Sequence, residues 1–320
     1  MLKRDSIRFV LILAALPALL ASQTGVVGGP ALGYVLDGGS GIRAIQGIPG
    51  ASLLGRRVPL GLEMAAAEVS PRQDYVLAVA AADGTVAVVE LGAATLAPRP
   101  VPGASPAPDR LILSPTGRAA LLVYGRAGSA QILTGLPSDI AVAPLDLASL
   151  PEAPGALAVS DDGTAVLAST AAGLFAIVKG EARALPSAGA VSALAFTPGA
   201  LDALAAGPGH VSALSSIGGQ PAWRTLATLP EDAGTPLAVA TAVRRALVAV
   251  SGAVIAVDLE SGAATKFPCA GVTGLAPLSG EAFRLTEMSG DPLWLIDGGG
   301  AEPRLLFIPP AAPASEEVTR

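Results

Sequence analysis

After its first sixty residues the chain alternates between short apolar runs and tight turns. One stretch shows the unit whole. Val191-Ser-Ala-Leu-Ala-Phe196 ends in the turn Thr197-Pro-Gly-Ala200, and Leu201-Asp-Ala-Leu-Ala-Ala206 ends in Gly207-Pro-Gly209. His210-Val-Ser-Ala-Leu-Ser-Ser216 then leads through Gly218-Gly-Gln-Pro221 into Trp223-Arg-Thr-Leu-Ala-Thr228. Runs this short, bounded by Gly and Pro, predict strands rather than helices. The spacing predicts four strands and three hairpins between residues 190 and 230.

The unit recurs. Its first turn is clearest at Ser70-Pro-Arg-Gln-Asp74, Ser114-Pro-Thr-Gly117 and Ser160-Asp-Asp-Gly163, with weaker copies beginning at Thr197, Ala240 and Pro277, spaced 37 to 46 residues apart. Later hairpins repeat too. Asp83-Gly84 joins two apolar runs, the strongest short hairpin signal. Val254-Ile-Ala-Val-Asp258 followed by Ala263–Phe267 has the shape of Leu293-Trp-Leu-Ile-Asp297 followed by Arg304–Ile308. A period near 40 residues with four strands per unit predicts an all-β fold, a β-propeller of four-stranded antiparallel blades.

Residues 62–309 hold six such units. Ahead of them Tyr34–Asp37 and Ile42–Gln46 read as a third-plus-fourth-strand hairpin without its first two strands. Seven blades are therefore expected, one of them incomplete or completed jointly at ring closure, with six blades as the alternative. The expected organisation is a signal peptide over 1–22, a propeller over 23–309 and a disordered tail over 310–320.

The leader reading rests on Lys3, Arg4 and Arg8 ahead of the apolar core Phe9–Leu20, which is too short to span about 30 Å of hydrocarbon comfortably. The small residues Ala21 and Ser22 follow it. A periplasmic or secreted protein with no stable membrane span after cleavage is expected. Cys269 is the single cysteine, so no internal disulfide can form, and a buried inert thiol is expected. The 20 Lys and Arg against 26 Asp and Glu, a net charge of −6, argue against a nucleic-acid partner.

The repeated Ser-Pro-x-Gly turn, the Val-Asp-x-x-x-Gly hairpin and the period resemble the YVTN/WD40-like propellers of exported bacterial proteins, over roughly residues 32–309. The resemblance implies a ring that binds a ligand or partner, usually without catalysis. The chain departs from true WD40 repeats: no Trp-Asp closes its strands, and His210 is the sole histidine. The Asp–His–Ser/Thr–Trp network of that family cannot recur.

Candidate chemistry is sparse. One histidine cannot build a His-rich metal site, and a Ser-His-Asp triad would have to use it. Calcium-dependent propeller lactonases gather Glu, Asn and Asp in the channel, but this chain contains no Asn. The expected reading is a non-catalytic binding or scaffold module, monomeric, with no cofactor, no metal and no catalytic residue, whose partner is a protein or an envelope ligand. The alternative is a lactonase-like or other hydrolase with a carboxylate cation site in the channel. Candidate binding positions on the rims are Asp83, Arg126, His210 and Asp291, with Asp109, Arg110, Glu231 and Asp232 beside them. Arg244 and Arg245 add two cations, expected to be exposed, in the first turn of their blade.

Overall fold

A computed structural model describes residues 30–310, except 94, 187–188, 231–232 and 289–290. The leader and all but the first residue of the tail lie outside the described residues. Seven antiparallel sheets follow one another along the chain. The first has three strands, β1 (Ala31–Asp37), β2 (Gly41–Ile48) and β3 (Ala51–Pro59). The other six have four each. Blade 2 is β4 (Met64–Val69), β5 (Tyr75–Ala80), β6 (Val86–Glu90) and β7 (Arg99–Pro100). Blade 3 is β8 (Arg110–Leu113), β9 (Ala119–Tyr124), β10 (Ser129–Thr134) and β11 (Ala141–Asp146). Blade 4 is β12 (Ala156–Val159), β13 (Ala165–Thr170), β14 (Gly173–Val178) and β15 (Glu181–Leu185). Blade 5 is β16 (Ala193–Phe196), β17 (Ala203–Gly207), β18 (His210–Ser215) and β19 (Ala222–Thr228). Blade 6 is β20 (Pro236–Ala242), β21 (Arg245–Val250), β22 (Ala253–Asp258) and β23 (Ala264–Pro268), and blade 7 is β24 (Ala276–Pro277), β25 (Ala282–Arg284), β26 (Leu293–Asp297) and β27 (Arg304–Ile308). This is a seven-bladed β-propeller.

The second strands of blades 2 to 6 are buried on both faces almost throughout, which is why they read largely as unbroken apolar runs instead of alternating ones. Tyr75–Val79 and Arg245–Val250 are buried throughout. Their side chains point alternately to the two neighbouring blades, so one hydrophobic core forms between each pair. Leu121 and Val159 pack between blades 3 and 4, while Leu167 and Phe196 pack between blades 4 and 5. Burying one such leucine contributes about 1.5–3 kcal/mol.

Polar side chains in and beside the turns tie neighbouring blades together. The Tyr75 hydroxyl donates to Gly117 O at 2.6 Å. Gly117 sits at φ +67, and a Cβ there would stand 2.8 Å from the Pro71 ring, so the turn requires glycine. Asp161, read from sequence as part of a plain Asp-Gly turn, bridges three blades. It accepts from Thr116 N (2.8 Å), Thr116 Oγ1 (2.7 Å) and Gly199 N (2.8 Å). Ser192 Oγ donates to Pro236 O across the next junction.

Ring closure departs from the expected hairpin placement. The turn after β1 lies at the rim where β4 starts: Leu60 N donates to Ser40 O, and a Cβ on Gly39 would lie 3.5 Å from Met64 O. The start of β1 lies at the opposite rim, where Ser279 N donates to Leu32 O. β1 therefore runs against the inner strands and along the second strands. The hairpin is second-plus-third, β3 is the fourth strand, and the inner strand is the one that the described part of blade 1 lacks. The motif comparison misplaced it because all hairpins of one twist share the same turn chemistry. Blade 1 packs on blade 7 through Leu32, Val35, Ile45, Leu278, Leu295 and Ile308.

Gln73 locks that junction. Its Oε1 accepts from Tyr34 N (2.7 Å), and its Nε2 donates to Ser70 O (3.0 Å) and Pro277 O (2.8 Å). One buried amide from blade 2 thus reaches blades 1 and 7.

Candidate functional site: the central channel

The inner strands surround a cavity of about 710 Å³ along the ring axis. Most of its lining residues are apolar types, such as Ile112, Ala158, Ala195 and Val239, and polar backbone and side-chain atoms share the exposed wall with them. This follows from the sequences of the inner strands, Arg-Leu-Ile-Leu, Ala-Leu-Ala-Val and Ala-Leu-Ala-Phe. Glu68 breaks the pattern. It is the one charged residue of β4, Met-Ala-Ala-Ala-Glu-Val.

Glu68 opens to the channel lumen but is enclosed by the ring. Desolvation pushes its pKa up from 4.5 to about 7. The Arg284 guanidinium opposes that rise, and the Glu287 carboxylate adds to it. Arg284 Nη1 donates to Glu287 Oε2 at 2.6 Å. Arg284 ends β25 opposite Ala276 of the two-residue β24, and it lines the cavity together with Glu287, three residues on. The arginine is therefore committed to Glu287, and Glu68 faces the lumen near neutrality between its charged and neutral forms. Among the described residues no three His, Cys, Asp or Glu side chains gather closely enough to hold a metal ion.

The rim positions expected from sequence are spread out. Asp83, Arg126, His210 and Asp291 fall in or beside the second-to-third-strand turns of blades 2, 3, 5 and 7, so they share a rim but not a site. Asp83 caps its own turn, accepting from Thr85 N at 2.9 Å, and that bond holds its carboxyl below the usual range. Arg126 lies in a 3-10 turn at Gly125–Ala127. The His210 Nδ1 lies 3.2 Å from Pro208 O, and its ring packs against Trp223 at 6.2 Å between centroids. Asp109 and Arg110 border a separate recess of about 370 Å³ between blades 3 and 4. Glu231 and Asp232 lie outside the described residues.

Arg244 and Arg245 lie on the opposite rim and differ from each other. Arg244 is exposed and pairs with Glu260 at 3.5 Å. Arg245 is only 8% exposed, contrary to expectation. Its guanidinium donates to Gly298 O (2.7 Å), Gly300 O (2.9 Å) and Ala301 O, holding the last hairpin of blade 7. Cys269 is buried, and burial raises its thiol pKa.

Sequence reasoning missed Glu68, Arg284 and Glu287. A signal for Glu68 existed, a carboxylate inside an inner-strand run. Nothing local marks Arg284, whose place in the channel wall is set by how blade 7 packs into the ring.

No family model matches the chain, and no curated protein matches it by sequence. Solved structures do match by shape. Apo AztD from Citrobacter koseri aligns at TM-score 0.55 and 15% identity, covering 87% of this chain and 94% of AztD. PorZ, a surface component of the type-IX secretion system of Porphyromonas gingivalis, aligns at 0.54 and 15% identity over 89% of this chain, which corresponds to only 39% of PorZ. The WD40 repeats of RRP9 align at 0.54 and 14% identity, covering 78% of this chain and 81% of that one. At such identities the likeness carries the propeller fold alone.

Proposed function

We propose that this chain is an exported, non-catalytic propeller that binds a protein or envelope-surface ligand in its central channel. The carrying observation is the axial cavity, lined mainly by apolar residue types, into which Glu68 opens while Arg284 and Glu287 bond each other. A concave, mainly apolar site with few convergent polar groups is what a binding pocket requires. The apolar wall would take the body of the ligand, and Glu68 would take a hydrogen-bonding or basic group. The periplasmic or secreted location rests on the leader-like residues 1–22, and PorZ offers a surface protein of the same fold.

The test is capture from envelope extract by the mature protein, alongside a Glu68→Lys variant. The expected result is a component held by the wild type and lost by the variant, with equal unfolding midpoints. Nothing above background, or equal capture by both proteins, would refute channel binding. A mature N-terminus near residue 23 in the exported fraction would support the location.

A further inference from the structure

The charged residues on the cavity wall lie on one side of the lumen. They are Glu68 of blade 2 with Glu281, Arg284 and Glu287 of blade 7, and these two blades flank blade 1 in the ring. Tyr34 on β1 is the remaining titratable residue of the wall. The inner strands of blades 3 to 6 add only uncharged residues, such as Ile112, Val159, Phe196 and Val239. The lumen is thus divided, with the carboxyl groups on one side and mainly apolar residue types on the other.

The charged side presents anions, because its cation is withdrawn. The Arg284 side chain is 12% exposed and gives Nη1 to Glu287, whose own side chain is 62% exposed. Glu281 turns to the rim, where its Oε2 accepts from Val243 N at 2.7 Å. Glu68 is exposed to the lumen and close enough to feel the charges of both Arg284 and Glu287. Three carboxyl groups therefore stand against one guanidinium. A recess lined by an excess of one sign, with low-dielectric walls beside it, focuses potential and selects the opposite sign. An anionic ligand would have to draw Arg284 away from Glu287 and then face Glu68. A cation on an apolar stem suits both sides of the lumen at once, as the stem and head of a lysine side chain do. The volume of about 710 Å³ is within the range of small-ligand sites.

We propose that the channel takes a primary ammonium carried on an apolar chain, the cation against Glu68 and Glu287 and the chain along blades 3 to 6. The proposal rests on the channel-binding reading above and adds the sign of charge that the site selects. A nearby cation favours the ionised carboxyl. Glu68 has its pKa raised to about 7, so seating the cation at pH 7 should expel about half a proton.

Titration calorimetry on the full chain at pH 7 tests it. The probe is n-octylammonium, with 1-octanol and octanoate as its neutral and anionic counterparts. Octylammonium should bind about tenfold more tightly than octanol, the worth of a charge-assisted hydrogen bond, and octanoate most weakly. The heat of binding octylammonium should change with the ionisation enthalpy of the buffer, which reports the released proton. Glu68→Gln should weaken octylammonium about tenfold and abolish the buffer dependence, with the native circular dichroism retained. The peptide acetyl-Leu-Lys-Leu-amide separates two sources of the same cation. Its competition with octylammonium would support a partner's lysine side chain, and its failure to compete would support a free amphiphilic amine. Octanoate binding as tightly as octylammonium, or octylammonium binding equally to wild type and Glu68→Gln, would overturn the cation and leave channel binding standing. Failure of all three probes to bind would overturn the channel reading with it.

Discussion

Replacing Gln73 removes a side chain that joins blades 7, 1 and 2. In Gln73→Ala, Ser70 O keeps a partner, because Gln73 N still donates to it at 2.8 Å. Tyr34 N–H and Pro277 C=O lose theirs. Leaving a buried polar group unpaired costs about 1–3 kcal/mol, so Gln73→Ala should lower the unfolding free energy by about 2–4 kcal/mol. Single-domain stabilities are about 5–15 kcal/mol, so this is a large share. The backbone refines the test. Gln73 sits at φ +62, a conformation that costs a non-glycine residue about 1–2 kcal/mol. Gln73→Gly relieves that strain and should be about 1 kcal/mol less harmful than Gln73→Ala, despite losing the same bonds. Gln73→Glu keeps an acceptor for Tyr34 N but turns an oxygen toward Ser70 O and Pro277 O. It should be the worst at pH 7 and recover as acid protonates the carboxyl and restores a donor. Urea unfolding of the four proteins at pH 7 and pH 5 decides the matter. A Gln73→Ala loss below about 0.5 kcal/mol, outside the range for orphaned groups, would refute the reasoning, as would a Gly variant weaker than the Ala variant.

Other consequences are simpler to check. Arg245→Lys should destabilise by about 2 kcal/mol, because one ammonium cannot reproduce a fork serving three carbonyls. Arg244→Ala should stay within about 0.5 kcal/mol, since its ion pair is exposed; equal melting losses at the two positions would contradict this. Cys269 should resist thiol reagents in the native protein and react stoichiometrically in urea, so rapid native labelling would contradict its burial. The two shifted carboxylates should act oppositely with pH. Glu68 is raised in the folded state, so stability should fall as pH rises from 4.5 to about 7. That loss is about 1 kcal/mol once lumenal water is allowed for, and Glu68→Gln should abolish it. For Asp161, burial alone would raise the pKa, but the bonds from Thr116 and Gly199 together hold it low. Its contribution is present above its ordinary pKa near 3.8 and lost on further acidification, so Asp161→Asn should flatten the acid limb of the stability profile.

The strands, the turns and the repeat were legible along the chain, because each depends on neighbours close in sequence. The alternation of apolar runs with Ser-Pro-x-Gly and Asp-Gly turns was enough to outline blade 5: its third strand begins at the expected His210, and the other boundaries shift by at most two residues. Blade 7's closing hairpin falls at 293–297 and 304–308, as the pattern predicts. Nothing local could say which strand blade 1 lacks. That depends on which rim each hairpin turn reaches, decided only when Ser279 meets Leu32 and Gln73 meets Tyr34 across the closed ring. The same holds for charge. Arg244 and Arg245 are neighbours of identical chemistry, yet one faces water and the other binds the next blade's carbonyls. Glu68 and Arg284, more than two hundred residues apart, are brought to one channel by ring closure alone. Short-range physics wrote the blades, and the long-range packing of seven of them decided where solvent is excluded, and so where this sparsely charged chain concentrates its chemistry.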